Sequence, residues 1–382
     1  MAAWRQLIFG VVLAFAPLAA TAQIIDTDAE YAVIMDHETG EILWSKNGDT
    51  PMIPASMTKM MTALYVFELV EQGEITLQDQ MTVSEDAWRR GGFPSRTSTM
   101  GLAPKERPTV EELLHGVIIM SGNDACIVLG EGIAGSEAAF ARQMTARAHE
   151  LGLTSVNFVN ATGLEGEGHV ASAADLARIA QMTIDRFPQY YGWYDDPAYT
   201  WGNYTQPNRN PLLGTMDGAD GLKTGHLDAS GYGLTASAVR DGVRRIVVLN
   251  GMPSMQARAQ EAERLMRTAF SAFETRTIAA DDTRLAELDV WMGERRQVGV
   301  RIGESIDVTA HKRAFVRGKS EIVYDRLIEA PVAVGDQLAT LVVTIEGKDP
   351  IELPLIATED VARLGFIGKA IEGLSRMLDG GE

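Results

Sequence analysis

Pro54-Ala55-Ser56-Met57-Thr58-Lys59-Met60-Met61-Thr62 opens a predicted helix that runs from Ser56 to about Gln72 and stops at Gly73. A serine and a lysine three residues apart on a helix share one face. A serine hydroxyl cannot attack a carbonyl without losing its proton, and a neutral lysine amine on the same face can take it. Ser56 in the first turn also places its backbone N–H where a developing oxyanion would sit. Alone, the pattern S-x-x-K recurs by chance and describes an N-capping serine beside an exposed lysine. Its meaning depends on what else the chain carries.

Two further motifs follow. Ser121-Gly122-Asn123 falls on the break between two expected helices, Glu111 to Met120 and Asp124 to Ile133. A hydroxyl and an amide presented from a turn can relay a proton and grip a peptide, although a plain helix-to-helix turn has the same composition. Lys223-Thr224-Gly225, within Gly221-Leu222-Lys223-Thr224-Gly225-His226, reads as an edge strand facing a cleft. The absent side chain at Gly225 is expected to let a substrate backbone approach closely. Each motif alone is ordinary. In the order S-x-x-K, S-x-N, K-T-G they specify a serine acyl-transfer site.

Around these motifs the chain alternates helix and strand. Tyr31 to Asp36 and Glu41 to Ser45 read as a strand pair, Glu137 to Leu151 and Ala173 to Phe187 as helices, and Gly233 to Val239 and Arg245 to Asn250 as neighbouring strands. Met255 to Phe273 reads as a long amphipathic helix. Beyond about Thr275 short strand-like runs recur roughly every 8–12 residues, the spacing of a small all-β sandwich or barrel. From Val361, apolar residues at Leu364, Phe366, Ile367, Ala370, Ile371, Leu374, Met377 and Leu378 keep a helical period.

Residues 1–22 read as a secretory signal: Arg5, an apolar run from Leu7 to Leu18 too short to span a bilayer, and the small-residue site Ala20-Thr21-Ala22. The expected organisation is therefore a signal peptide (1–22), a main domain (23–275), a β-rich domain (276–361) and an amphipathic tail helix (362–382). An apolar fraction of 46% and a charged fraction of 23% exclude a disordered chain. With 34 Lys+Arg against 52 Asp+Glu, a net charge of −18 and no basic run, nucleic-acid binding is excluded. Cys126, the single cysteine, cannot form an intramolecular disulfide and reads as a buried structural thiol. The remaining histidines, His37, His115, His149, His169 and His311, lack ligand spacing, so no metal or other cofactor is expected.

The three motifs, with Pro54-Ala55-Ser56 to Met61, Ser121 to Cys126, Asn208-Arg209-Asn210 and Asp220 to His226, make the chain resemble low-molecular-mass penicillin-binding proteins of the serine D-alanyl-D-alanine carboxypeptidase type. The likeness extends over nearly all of the chain after residue 22. It implies an α+β, β-lactamase-like transpeptidase fold, an antiparallel sheet with helices on both faces, followed by the small β domain and tail helix. It implies that Ser56 attacks the D-Ala-D-Ala bond of a peptidoglycan stem peptide, that Lys59 is the general base and that Ser121 relays protons. Asn123, Lys223, Thr224, Gly225 and His226 would bind substrate, with the backbone N–H groups of Ser56 and His226 as oxyanion hole. β-Lactams would trap Ser56. The resemblance also implies a periplasmic enzyme, its tail helix laid on the outer face of the inner membrane.

Lys59 must then be largely neutral near pH 7, against an ordinary pKa of about 10.4, and burial and the like charge of Lys223 both push that way. Leu227 stands where the family usually has a hydroxyl residue. A β-lactamase would need a positioned glutamate that the stretch between 123 and 223 lacks. A D,D-endopeptidase shares the chemistry and differs in leaving group, and a non-catalytic wall-binding scaffold would not need Ser56, Lys59, Ser121, Asn123 and Lys223 intact.

Overall fold

The computed structural model describes residues 25–278, 283–324 and 327–365. They fall into two units with the boundary between Ser271 and Ala272.

The first unit begins with β1 (Tyr31–Asp36) and β2 (Ile42–Lys46). A run of helices follows: α1 (Lys59–Glu71), α2 (Glu85–Gly91), α3 (Val110–Ile118), α4 (Asn123–Ala134), α5 (Glu137–Glu150), α6 (Ala173–Arg186) and the single turn α7 (Pro188–Tyr191). After the hairpin β3 (Ala198–Trp201) and β4 (Tyr204–Pro207) come β5 (Ala219–Leu227), β6 (Gly231–Arg240), β7 (Val243–Met252) and α8 (Met255–Ser271). The sheet order is β2-β1-β7-β6-β5, antiparallel throughout, so the K-T-G strand is at an edge as expected.

The central strands are apolar on both sides because both faces are covered. Val33 and Met35 sit opposite Val248 and Ile246 and join the main core with Leu176, Ile179 and Ala180 of α6. The alternate residues Ile34 and Val247 are buried as well, on the face where α8 packs over β6 and β7. The expected helices on both faces are therefore present. Buried Glu68 of α1 accepts two hydrogen bonds from Arg147 of α5, at 2.9 and 3.1 Å, and pairs with Arg186 of α6 at 2.6 Å. That three-helix clamp holds α1, and with it the residues just before it.

The helix expected from Ser56 starts later. Ala55–Thr58 form a 3₁₀ turn and the α-helix begins at Lys59. Ala55 has φ +48°, in the left-handed region that no α-helix interior accepts. The tighter turn suits the chemistry, because residues i and i+3 eclipse in a 3₁₀ helix and Ser56 stands directly in line with Lys59. The short α2, capped by Ser84, and the hairpin β3–β4 carry too few residues for a clear period and escape a reading by periodicity.

The second unit pairs β8 (Phe273–Ile278) with β11 (Ile306–His311). Its larger sheet contains β9 (Ala286–Trp291), β10 (Gln297–Ile302), β12 (Lys319–Val323), β13 (Ile328–Glu329), β14 (Gln337–Thr344) and β15 (Ile351–Ala357), in the order β12-β14-β15-β10-β9-β13. Val298, Val300, Leu353 and Leu355 anchor its own core. One short helix interrupts this β unit: Lys312–Arg317 form α9, whose N-terminus His311 caps by accepting from Arg313 N–H at 3.2 Å. The expected signal segment lies outside the described residues, as does the tail helix beyond Gly365. Its first residues are not helical: Arg363 bridges Gly293, and Leu364 N–H donates to the Met292 carbonyl. Among the described residues no helix is long and apolar enough to cross a membrane.

Candidate active site

Lys59 is 1% exposed, and its three donor positions meet three acceptors: Ser56 Oγ at 3.0 Å, Asn123 Oδ1 at 2.7 Å and the Thr162 carbonyl at 2.5 Å. None of these is a carboxylate, so a buried ammonium here has no counter-ion in contact among the described residues. Burial therefore pushes its pKa down to about 8, the Arg209 guanidinium adding like-charge repulsion. Once the amine is neutral, two N–H groups suffice for Asn123 and Thr162, and the lone pair faces the Ser56 hydroxyl. That is the arrangement of a base poised on a nucleophile.

Ser121 and Asn123 come from the break between α3 and α4. Ser121 has φ +59°, and the turn is closed by Gly122 N–H donating to the Gly116 carbonyl at 2.9 Å. Ser121 Oγ is buried with no hydrogen-bond partner among the described residues, which leaves it available to a substrate group. Asn123 spends one carboxamide valence at each end, Oδ1 toward Lys59 and Nδ2 toward Thr97 Oγ1 at 2.9 Å, and retains a second at each. Asp124, wholly buried, fixes the facing segment. It accepts from Thr99 Oγ1 at 2.6 Å and from the backbone N–H of Met100, Gly101 and Leu102 at 2.8–3.0 Å.

The third wall is β5. Lys223 is buried, and its ammonium meets the Thr224 carbonyl at 3.4 Å. Its pKa is pushed well below the usual lysine value by burial and by the like charges of Lys59 and Arg209. Thr224 is buried beside it. His226 is exposed and stacks on Tyr232 at 3.8 Å. Gly225 also has a packing role. A Cβ there would stand 2.9 Å from the Pro54 carbonyl oxygen and 3.3 Å from Ala55 Cβ, so the missing side chain first serves the close packing of β5 against the Ser56 turn. Asp220 at the head of β5 is tied down by Arg244 at 2.7 Å and by the Tyr191 hydroxyl at 2.7 Å.

Ser56, Lys59, Asn123 and Lys223 are thus brought around one cationic spot, with Ser121 beside them on the chain. Three contributors lie outside the motifs. Thr162 supplies a carbonyl to Lys59. Arg209 donates to Ser98 Oγ at 2.5 Å and to Gln206 Oε1 at 3.0 Å, and its only sequence trace is the Asn208-Arg209-Asn210 segment. The loop after Asn160 lies against the nucleophile turn, since a Cβ on Gly163 (φ +77°) would fall 1.9 Å from the Ala55 carbonyl oxygen. Cys126 is buried near Lys59, and its thiol is pushed up to about 12 by burial. Among the described residues no His, Cys, Asp and Glu side chains group as metal ligands.

The family model for D-alanyl-D-alanine carboxypeptidase matches residues 18–253, and the model for the penicillin-binding protein 5 C-terminal domain matches residues 273–363. The chain is 35% identical over 362 residues to the D-alanyl-D-alanine carboxypeptidase DacC of Escherichia coli K12, covering 93% of this chain and 90% of that protein. Penicillin-binding protein 5 of Haemophilus influenzae superposes with a TM-score of 0.70 at 32% identity, covering 90% of this chain and all of that one. Penicillin-binding protein D2 of Listeria monocytogenes, solved in an ampicillin-bound form, superposes with a TM-score of 0.58 at 30% identity, over 65% of this chain and 100% of that one.

Proposed function

The chain belongs to the D-alanyl-D-alanine carboxypeptidase family of penicillin-binding proteins, as a serine-type D-alanyl-D-alanine carboxypeptidase, and on that premise we propose how its own residues run the reaction. The observation that carries the reading is the contact of Lys59 Nζ with Ser56 Oγ at 3.0 Å, made by a buried amine with no carboxylate in contact.

The stem peptide lies along the open edge of β5, adding its backbone to the sheet as an extra strand. Its terminal carboxylate turns toward Lys223 and Thr224, where Lys223 and the nearby Arg209 guanidinium favour an anion. Asn123 uses its spare valences on the substrate amide. Neutral Lys59 takes the Ser56 proton as Oγ bonds to the penultimate D-Ala carbonyl carbon, and the backbone N–H groups of Ser56 and His226 receive the oxyanion. Ser121 carries a proton to the leaving amine, the C–N bond breaks, and terminal D-alanine departs. Water then hydrolyses the Ser56 ester. A β-lactam follows the same path to the acyl-enzyme, and its leaving nitrogen stays tethered.

Leu227, half-buried directly after His226, adds no polar atom to the carboxylate pocket. The sequence features of 1–22 support export to the periplasm. The helical period beyond Val361 supports a peripheral hold on the inner membrane. Purified protein incubated with a stem pentapeptide is expected to release D-alanine, and Ser56→Ala to release none. Release by the Ser56→Ala protein would overturn the assignment. Deleting residues 362–382 is expected to move the protein from the membrane to the soluble fraction, and unchanged fractionation would exclude the anchor.

A further inference from the structure

His169 has no place in the mechanism above, yet it sits directly beneath the nucleophile turn. It is 3% exposed. Val159 N–H donates to its Nδ1 at 3.2 Å, so Nδ1 carries no proton and Nε2 does. Nε2 lies 2.8 Å from Oγ1 of Thr58, the buried residue between Ser56 and Lys59 in sequence. The loop that carries His169 also carries Thr162, whose carbonyl holds Lys59 Nζ. The backbone of that loop is pinned on both sides, by the bridge of Met52 to Ala171 and that of Asn157 to Val170. The imidazole ring rests on Phe158 at 5.6 Å.

From this geometry we propose that His169 is a positioning residue for acylation: as a neutral imidazole donating from Nε2 to Thr58, it fixes the rotation of the 3₁₀ turn that aims Ser56 Oγ at Lys59 Nζ. The proposal rests on the assigned roles of Ser56 and Lys59. A turn free to rotate still binds ligand, since the groups that grip the substrate come from β5 and α4. It loses the alignment of nucleophile and base, on which the covalent step depends steeply. Burial disfavours a second proton on the His169 ring, and a charged Lys59 adds to the effect.

The test is acylation by a fluorescent penicillin, resolved by stopped flow into the binding constant of the non-covalent complex and the rate constant of acylation. Thr58→Val keeps the shape and removes the acceptor. His169→Phe keeps a ring and removes the donor. His169→Gln keeps a donor and an acceptor side by side. Thr58→Val and His169→Phe are expected to lower the acylation rate constant about tenfold to a hundredfold with binding unchanged, and His169→Gln to restore it to within about fivefold. If His169→Phe does not fold, Thr58→Val decides alone. A rate constant within twofold of the parent in Thr58→Val, a loss confined to binding, or a His169→Gln protein as slow as His169→Phe overturns the proposal. Ser56→Ala serves as the separate control: covalent labelling of that variant would refute the nucleophile assignment and not the role of His169.

Discussion

On the proposed mechanism the neutral amine of Lys59 is the reactive form, so acylation must fall as pH falls through its pKa. With that pKa near 8, roughly one molecule in ten carries the free amine at pH 7, short of the largely neutral lysine expected from the sequence; at the ordinary value near 10.5 roughly one in 3,000 would. Burial without a counter-ion therefore raises the reactive fraction by roughly 300-fold. Lys59→Arg keeps the positive charge and the donors but cannot give up its proton, because a guanidinium is neutral at pH 7 in on the order of one molecule in 10⁵ or fewer. The expected loss is at least about four orders of magnitude in acylation rate. Stopped-flow acylation across pH 6 to 10 measures both effects. The parent protein should gain about one decade per pH unit below 8 and level off above it. Because Arg209 repels a charged Lys59, Arg209→Gln should move the inflection upward. A flat profile, an inflection near 10, or a Lys59→Arg protein retaining more than about 1% of the rate would refute the reasoning.

Four further outcomes follow from the geometry. Asp124→Ala leaves several buried N–H groups without an acceptor and should lower stability by about 3–5 kcal/mol, measured as a shift in urea midpoint; a change below about 1 kcal/mol would contradict the network. Gly163→Ala forces a Cβ against the Ala55 carbonyl in a left-handed backbone and should abolish penicillin labelling while destabilising the protein by more than about 2 kcal/mol. His169 has its folded pKa pushed down by burial to about 4 from 6.5, so between those values only the unfolded chain takes up the proton. Stability from this site is complete above pH 6.5 and should fall by about 3 kcal/mol on descending to pH 4, a slope that His169→Gln flattens in urea titrations. The Cys126 thiol, buried and pushed up to about 12, should ignore a disulfide reagent in the native protein and react fully in urea; rapid native reaction would place it elsewhere.

The three motifs were legible because each is a contiguous run whose residue types serve the chemistry directly. Long helices such as α5 and α6 were legible from period, and the stops at Gly152 and before Pro188 from composition. What escaped has a common cause. Thr162 acts through its carbonyl, which every residue owns, so its identity announces nothing. His169 acts through a contact with a residue 111 positions away. The tight turn at Ala55–Thr58 escaped because alanine at φ +48° is imposed by packing and not by its own preference. The packing role of Gly225 escaped because the neighbour that needs the space, Pro54, belongs to a distant segment.

The order of strands in the catalytic sheet carries a consequence for how the protein is made. β1 is the first strand of the chain, but its inner partner is β7: Ala32 pairs with Leu249, roughly 220 residues later. Until β7 arrives, the β1–β2 hairpin presents an apolar, unpaired edge, which is open to mispairing with another chain. The sheet that frames the nucleophile thus cannot close until nearly all of its unit is present. A nascent chain halted before β7 should stay protease-sensitive and unable to take up penicillin, even though every residue of the S-x-x-K and S-x-N motifs is already present.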